Sequence, residues 1–206
     1  MSKKETITVA ITGASGSIYG LKLTECLLMA DKRVNLLISS PGLTVIKHET
    51  GIDWSGDETS LNRQIRAHFK AGDELCYYDN ANFFSPIASG SSGLSAMVIA
   101  PCSMGTLGRI TGGMSSNLIE RGADVALKER GKLVLLPRET PLNDIHLENM
   151  LKLSRMGAHI VPAMPGFYHG PKNMEDLVDF VVGKLLDQLE VDHELFKRWD
   201  GQENLT

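Results

Sequence analysis

A glycine-rich segment near the start of the chain has the residue types of a phosphate-binding loop. The segment ITGASGSIYG (11–20) follows the apolar run TITVAI and precedes the amphipathic segment LKLTECLLM. A strand, a glycine turn and a helix in this order bring helix N-terminal amides to a phosphate. The glycines here are Gly13, Gly16 and Gly20, which match neither G-x-G-x-x-G nor the Gly-Lys-Ser/Thr ending of a P-loop. The loop therefore predicts a phosphate compound other than the usual dinucleotide or nucleoside triphosphate.

A cation and an anion stand side by side after another apolar run. Arg138 and Glu139 follow KLVLLP, in the segment PRETP (137–141). Ligands of open α/β sheets bind at the carboxyl ends of the strands. Charged side chains at such a position therefore suggest contact with a ligand. We therefore interpret PRETP as part of a site. For Lys128, in DVALKERGK, a solvated helix end that favours the helix dipole is the usual explanation of such a basic run.

The elements that must position these residues alternate between strands and helices. Apolar, β-branched runs predict buried parallel strands at residues 6–12, 33–39, 96–101, 132–137 and 158–163. The predicted helices are LKLTECLLM, residues 103–112, NLIERGADVALKER, DIHLENMLKLSRMG and MEDLVDFVVGKLLDQL, with SLNRQIRAHF as a further helix and SPIASGSSGLS as a loop. The alternation predicts a single three-layer α/β domain with a doubly wound, mostly parallel, Rossmann-like or flavodoxin-like sheet. We assign residues 1–190 to this domain and residues 191–206 to a peripheral C-terminal tail.

The composition argues against several classes of protein. The chain has 206 residues, which suits one domain, and its net charge of −4 argues against nonspecific nucleic-acid binding. We find no apolar window of membrane-spanning length and no signal segment, so we expect a cytoplasmic protein. The three cysteines and six histidines are scattered, so we expect neither a disulfide framework nor a metal held by the protein.

Small hydroxyl residues follow several of the predicted strands. Ser15, Ser39, Ser103 and Thr106 could hold a phosphate without adding charge, with helix N-termini supplying positive potential. The end of the second strand, LLISSPG, lacks the acidic residue with which a dinucleotide fold holds the ribose diol. FMN therefore fits this set of residues better than NAD does.

Longer stretches resemble the UbiX-type flavin prenyltransferases. They include TGASGSIYG, ASGSSG, VIAPCSMGTL, NLIERGADVALKERGKLVLLPRETPL and HLENMLKLSRMGAHIVPAMPGFYH, and they extend from Ile7 to about Leu189. The resemblance implies an FMN-binding subunit that assembles into a dodecamer. It implies transfer of a dimethylallyl group from dimethylallyl monophosphate to N5 and C6 of reduced FMN, with release of phosphate and without a metal. The product, prenylated FMN, is the cofactor of UbiD-type decarboxylases, which act in ubiquinone biosynthesis in many bacteria.

The resemblance also implies roles for individual residues. Those implied to contact FMN are Gly13, Ala14, Ser15, Ser39, Ser103, Met104, Gly105, Thr106, Arg121 and Arg138. Those implied to form the donor site are Ala88, Ser89, Gly90, Lys128, Arg138, Glu139, Tyr168 and Lys184. Those implied to act in catalysis are Ser15 near flavin N5, Glu49, Lys128, Tyr168, and Glu139 as the acid–base carboxylate. Many family members carry an arginine where this chain has Lys184, and lysine keeps the charge but loses the bidentate fork.

Three other functions fit parts of the chain. A decarboxylase of the phosphopantothenoylcysteine type shares VIAP but carries a catalytic histidine before that strand and an Asn-containing motif after the next, and both are missing here. A nicotinamide-dependent reductase would need the ribose-binding acid and a Y-x-x-x-K motif, which the chain also lacks. A flavin carrier without turnover would not need a second phosphate site, so Lys128, Glu139 and Tyr168 together favour catalysis. Whether the donor is a monophosphate or a diphosphate, and which decarboxylase receives the product, stay open.

Overall fold

A parallel sheet forms the middle layer of the domain. The computed structural model describes residues 4–92 and 95–199. Its strands are β1 Thr6–Ile11, β2 Arg33–Ile38, β3 Leu75–Tyr78, β4 Ala96–Cys102, β5 Lys132–Pro137 and β6 His159–Ile160. They are arranged in the order β3-β2-β1-β4-β5-β6, and all neighbours pair in parallel. The direction of winding therefore reverses between β1 and β4, which makes the carboxyl ends of these two strands the expected place for a ligand.

Helices cover both faces of this sheet. They are α1 Ser17–Met29, α2 Ser40–Thr50, α3 Glu58–Phe69, α4 Met104–Thr111, α5 Leu118–Lys128, α6 Asp144–Arg155 and α7 Met174–Gln188, with short 3₁₀ turns at Pro86–Ala88 and Gly90–Ser92. One hydrophobic cluster packs α1, α2, α3 and α7 on one face, and a second packs α4, α5 and α6 on the other. The predicted three-layer α/β architecture is confirmed. In the described part of the chain, no helix is both long enough and apolar enough to span a bilayer.

Most predicted elements are confirmed, but some differ. The strand predicted at 158–163 is reduced to His159–Ile160, because the edge position leaves it only one neighbour with which to pair. Two elements were not predicted from the sequence: β3, which has only four residues, and α2, which begins with the turn-forming residues SPG. In α2 the Ser39 side chain accepts a hydrogen bond from the N–H of Gly42 at 3.1 Å. Pro41 suits a first helical turn, where no backbone donor is needed.

The segment after α7 is more closely packed than predicted. Val191 and Phe196 are buried in the cluster that packs α1 and α7 against the sheet. A Cβ atom on Gly183 would stand 2.4 Å from the Phe196 ring, so α7 has a glycine where this ring packs against it. Arg198 donates a hydrogen bond to Asp187 at 2.7 Å. The expectation of a peripheral tail is therefore wrong as far as Phe196, and residues 200–206 lie outside the described part.

Candidate active site

A cavity opens at the carboxyl ends of β1 and β4. Its volume is about 340 Å³, and no acidic residue lines it within the described chain. Its lining consists of Gly13, Ser39, Ser40, Pro41, Asn80, Ser103, Thr106, Arg109, Asn117 and Ile119. Gly13, Ser39, Ser103 and Thr106 are thus brought together as predicted. Hydroxyl groups, helix N-termini and one arginine make this a suitable place for an anionic group.

Thr12 joins the two strand ends that form the cavity. Its buried hydroxyl donates to the carbonyl of Pro101 at 2.7 Å and accepts from the N–H of Ser103 at 2.8 Å. The Ser103 side chain in turn accepts from the N–H of Thr106 at 3.3 Å and so caps α4. Thr12 is not among the site residues predicted from the sequence. The signal available was a threonine at the end of an apolar strand, directly before the glycine loop.

At each of the three loop glycines, a different feature of the structure disfavours a side chain. A Cβ atom on Gly13 would lie 2.5 Å from Cβ of Pro41, at the start of α2. Gly16 has φ of 97°, in the left-handed region that favours glycine. A Cβ atom on Gly20 would lie 2.2 Å from the carbonyl oxygen of Ala100, so this glycine lets α1 pack closely on β4. The glycine spacing differs from G-x-G-x-x-G because the close contacts fall at Gly13 and Gly20 and the positive φ falls at Gly16.

The N-terminus of α1 is occupied by a carboxylate. Glu49 Oε1 accepts from the N–H of Gly16 at 2.9 Å, and its Oε2 accepts from the N–H and hydroxyl of Ser17 at 2.9 and 2.7 Å. Partial burial tends to raise the pKa of Glu49, but hydrogen bonds from Ser15, Ser17 and Gly16 outweigh it and hold the pKa below its usual value. The amides of Gly16 and Ser17 therefore already have a partner, and a phosphate at this helix end would face an ionised carboxylate.

We expect Glu49 to stabilise the fold only while it is ionised. Because its pKa is lowered in the folded chain, its contribution is present above the unfolded-state pKa and is lost as the pH falls through the folded-state pKa. Thermal unfolding of the wild type and of Glu49→Gln between about pH 3 and pH 7 should show their stability difference shrink on acidification. Glu148→Gln, at an exposed position of α6, is the matched control. A difference independent of pH would contradict the expectation.

The PRETP segment meets the glycine loop. Arg138 Nε donates to the carbonyl of Ser15 at 3.0 Å, across a sequence separation of 123 residues. Glu139 is exposed beside it, and its carboxylate accepts from the N–H of Thr140 at 3.0 Å. The structure thus places Ser15, Glu49, Arg138 and Glu139 at the carboxyl edge of the sheet, the edge at which Gly13 and Ser103 line the cavity.

A second group of predicted residues lies along α5. Arg121 Nε donates to the carbonyl of Ala88 at 3.0 Å, and its Nη1 donates to Asp124 at 2.8 Å. Lys128 pairs with Glu129 beside Gly90, where a Cβ atom would lie 2.8 Å from the lysine Nζ. Lys128 is the last residue of α5, and β5 begins at Lys132, so this group extends to the amino edge of the sheet, opposite Ser15.

A third group lies around the aromatic rings of Phe180 and Phe196, which pack at α7. The Tyr168 ring is 5.7 Å from the Phe180 ring, centroid to centroid. Lys184 Nζ lies 5.0 Å from the centroid of the Phe196 ring and 3.5 Å from a carboxylate oxygen of Asp187. In the described residues, Tyr168, Lys184 and Lys128 make no hydrogen bond, ion pair or ring contact with the glycine loop.

Comparison with known proteins identifies relatives along the whole chain. The family model described as Flavoprotein matches residues 1–186. "Flavin prenyltransferase UbiX" of Alkalihalophilus pseudofirmus is 53% identical over 196 residues, which cover 94% of this chain and 95% of that protein. The crystal structure of AnUbiX in complex with FMN and dimethylallyl pyrophosphate matches with a TM-score of 0.88 and 39% identity, over 98% of this chain and all (100%) of that one. A dodecameric FMN-dependent UbiX-like decarboxylase from Escherichia coli O157:H7 matches with a TM-score of 0.85 and 40% identity, over 95% and 100% of the two chains.

These matches extend over the elements that form the cavity and over both segments that meet at Arg138 and Ser15. The resemblance stated from TGASGSIYG and PRETP is thereby confirmed. The chain belongs to the flavoprotein family and, within it, to the UbiX-type flavin prenyltransferases.

Proposed function

We propose that this protein transfers a dimethylallyl group from dimethylallyl monophosphate to N5 and C6 of reduced FMN, which yields prenylated FMN and phosphate. The observation that carries the proposal is the contact between two segments shared with the flavin prenyltransferases. This contact is the hydrogen bond from Arg138 to the Ser15 carbonyl, beside a cavity without acidic residues. The related AnUbiX was crystallised with a dimethylallyl diphosphate, which supports a prenyl phosphate as donor.

The residues at the carboxyl edge suit a bound flavin nucleotide. The cavity offers hydroxyl groups and an arginine to a phosphate, and Gly13 lets the loop approach the start of α2 closely. We assign Gly13, Ala14, Ser39 and the run 103–106 to FMN binding. Ser15 stands where the loop meets Arg138, and we assign its side chain to the flavin ring.

The remaining residues have roles that follow from the reaction. Reduced FMN, when bound, supplies the nucleophilic N5 and C6 positions. The allylic C–O bond of the donor breaks as the first new bond forms, and cations such as Arg138 and Lys128 stabilise the charge that develops on the departing phosphate. Closure of the ring joins C6 to the substituted alkene carbon of the prenyl group, so the neighbouring alkene carbon must gain a proton as C6 loses one. We propose that Glu139 acts in both transfers, as the acid that protonates the alkene carbon and as the base that accepts the proton from C6. Tyr168 and Lys184 are assigned to the donor phosphate.

We further propose that the complete site forms between copies of the chain. Within one chain, Glu139 follows β5 at the carboxyl edge of the sheet, and Lys128 ends α5 at the opposite edge. Lys184, on α7, lies beside the Phe196 ring. Residues that serve one small donor must be within reach of it at the same time. The existence of a dodecameric relative supports assembly of this chain into a homo-oligomer, and we propose a dodecamer.

The proposed reaction also indicates the pathway and the compartment in which the protein acts. Prenylated FMN is proposed to pass to a UbiD-type decarboxylase and so to serve ubiquinone biosynthesis. Reduced flavin is the acceptor, so a reducing compartment suits the reaction, and the three free cysteines agree with the cytoplasm.

Release of phosphate tests the proposed reaction. The protein is incubated without oxygen with reduced FMN and dimethylallyl monophosphate, and phosphate is measured over time. We expect one phosphate for each flavin consumed, and none when the FMN is kept oxidised, because the oxidised ring is a poor nucleophile. The absence of phosphate release with reduced FMN, tested with the monophosphate and the diphosphate, would contradict the proposal.

A further inference from the structure

Arg109, which is not among the site residues predicted from the sequence, lines the cavity between β1 and β4. It lies on α4, one turn after Thr106, and it is the cationic residue among those that line the cavity in the described chain. The Arg109 side chain is 45% exposed to solvent, which leaves it accessible to a ligand.

A buried carboxylate fixes the position of Arg109. The Glu120 side chain has 0% exposure and accepts hydrogen bonds from Arg109 Nε, from the N–H of Ser116 at 2.8 Å and from Asn117 Nδ2 at 2.8 Å. Burial tends to raise the pKa of Glu120, but these bonds outweigh it and lower the pKa. Because the carboxylate is buried and fixed by three donors while the guanidinium stays half-exposed beside the cavity, Glu120 is suited to position Arg109.

The guanidinium keeps donors available for a ligand. Arg109 Nη2 donates to Thr106 Oγ1 at 3.2 Å, and Nη1 lies 3.3 Å from the place that a Cβ atom on Gly105 would take. With the bond to Glu120, two of the five N–H donors of an arginine are used. Within residues 4–92 and 95–199, the guanidinium donates no other hydrogen bond. Its free donors are the kind that bind phosphate in a bidentate way.

The charges at the carboxyl edge decide where a flavin phosphate can lie. The N-terminus of α1 already holds the carboxylate of Glu49, whereas the cavity that contains Arg109 is lined by no acidic residue of the described chain. We propose that Arg109, positioned by Glu120, binds the phosphate of FMN and makes the protein select FMN over riboflavin. The inference rests on the proposed function in one respect, because it takes FMN as the bound flavin.

Equilibrium binding of FMN and of riboflavin tests this inference. Riboflavin lacks the phosphate, so Arg109→Gln should weaken FMN binding by about 10- to 100-fold and change riboflavin binding by less than about twofold. Glu120→Gln keeps the arginine but removes its partner, and should lose part of the preference for FMN. Arg63→Gln, at an exposed position of α3 away from the cavity, is the charge-matched control and should change neither affinity. An equal loss for both flavins, or no loss for FMN, would overturn the inference.

A second variant covers the case in which Arg109→Gln does not fold because Glu120 is left buried and unpaired. The double variant R109Q/E120Q removes that charge, and it should show the same selective loss of FMN affinity. A wild type that binds FMN selectively but releases no phosphate from the donor would contradict the proposed function and leave this inference standing. A wild type that prenylates FMN, with a double variant that keeps the full preference for FMN, would overturn this inference alone.

Discussion

Glu139→Gln is expected to slow prenyl transfer by about 100- to 10,000-fold, because general acid–base catalysis contributes factors of this size. FMN affinity should change by less than about twofold, since Glu139 is exposed next to Arg138 and is not among the residues that line the cavity. Single-turnover rates with reduced FMN, together with equilibrium FMN binding, measure the two effects separately.

Glutamine retains the shape of the side chain and its hydrogen-bonding oxygen, so a loss of rate reports on proton transfer rather than on packing. Glu148→Gln, at an exposed position of α6, controls for the loss of one surface charge. A Glu139→Gln enzyme with the wild-type rate would remove the proposed proton acceptor. Equal losses in rate and in FMN affinity would instead assign Glu139 to flavin binding.

Mixing two inactive variants is expected to restore activity. Lys128→Met should lower the rate of transfer by about 100- to 1,000-fold, because it removes a cation that stabilises the departing phosphate. If each site takes Glu139 from one copy and Lys128 from another, assemblies formed from equal amounts of Lys128→Met and Glu139→Gln chains should recover about one quarter of the wild-type activity. The measurement is the transfer rate after co-expression of the two chains.

The matched control for mixing uses two residues of the same segment. Arg138 and Glu139 are adjacent in PRETP, so one copy supplies both to a given site. Mixtures of Arg138→Gln with Glu139→Gln should therefore recover no activity. Recovery in this control, or its absence in the mixture with Lys128→Met, would contradict a site shared between copies.

Strands that are buried on both faces of the sheet were the easiest elements to predict from the sequence. All seven residues of β4 are buried, and such a strand produces a continuous apolar run that is easy to recognise. The edge strands were harder to predict, since β3 has four residues and β6 has two. The packing of Phe196 against Gly183 could not be predicted, because it depends on the path of the chain after α7.

The site was predictable where chemistry follows directly from a strand end. Gly13, Ser39 and Ser103 follow β1, β2 and β4, and the order of the strands brings them to one cavity. The position of the Glu49 carboxylate was not predictable, because it reaches the loop from the far end of α2. Arg109 was missed for a similar reason, since only its partner Glu120 on α5 distinguishes it from an ordinary helix arginine.

The mass of the flavin after turnover tests the central claim most directly. The protein is reduced anaerobically with FMN, dimethylallyl monophosphate is added, and the flavin is extracted for mass spectrometry. We predict a flavin that is heavier than FMN by one C₅H₈ unit, formed in step with the release of phosphate. FMN that is bound tightly but recovered with its mass unchanged would contradict the account and would indicate a flavin carrier, or a decarboxylase that acts on another substrate.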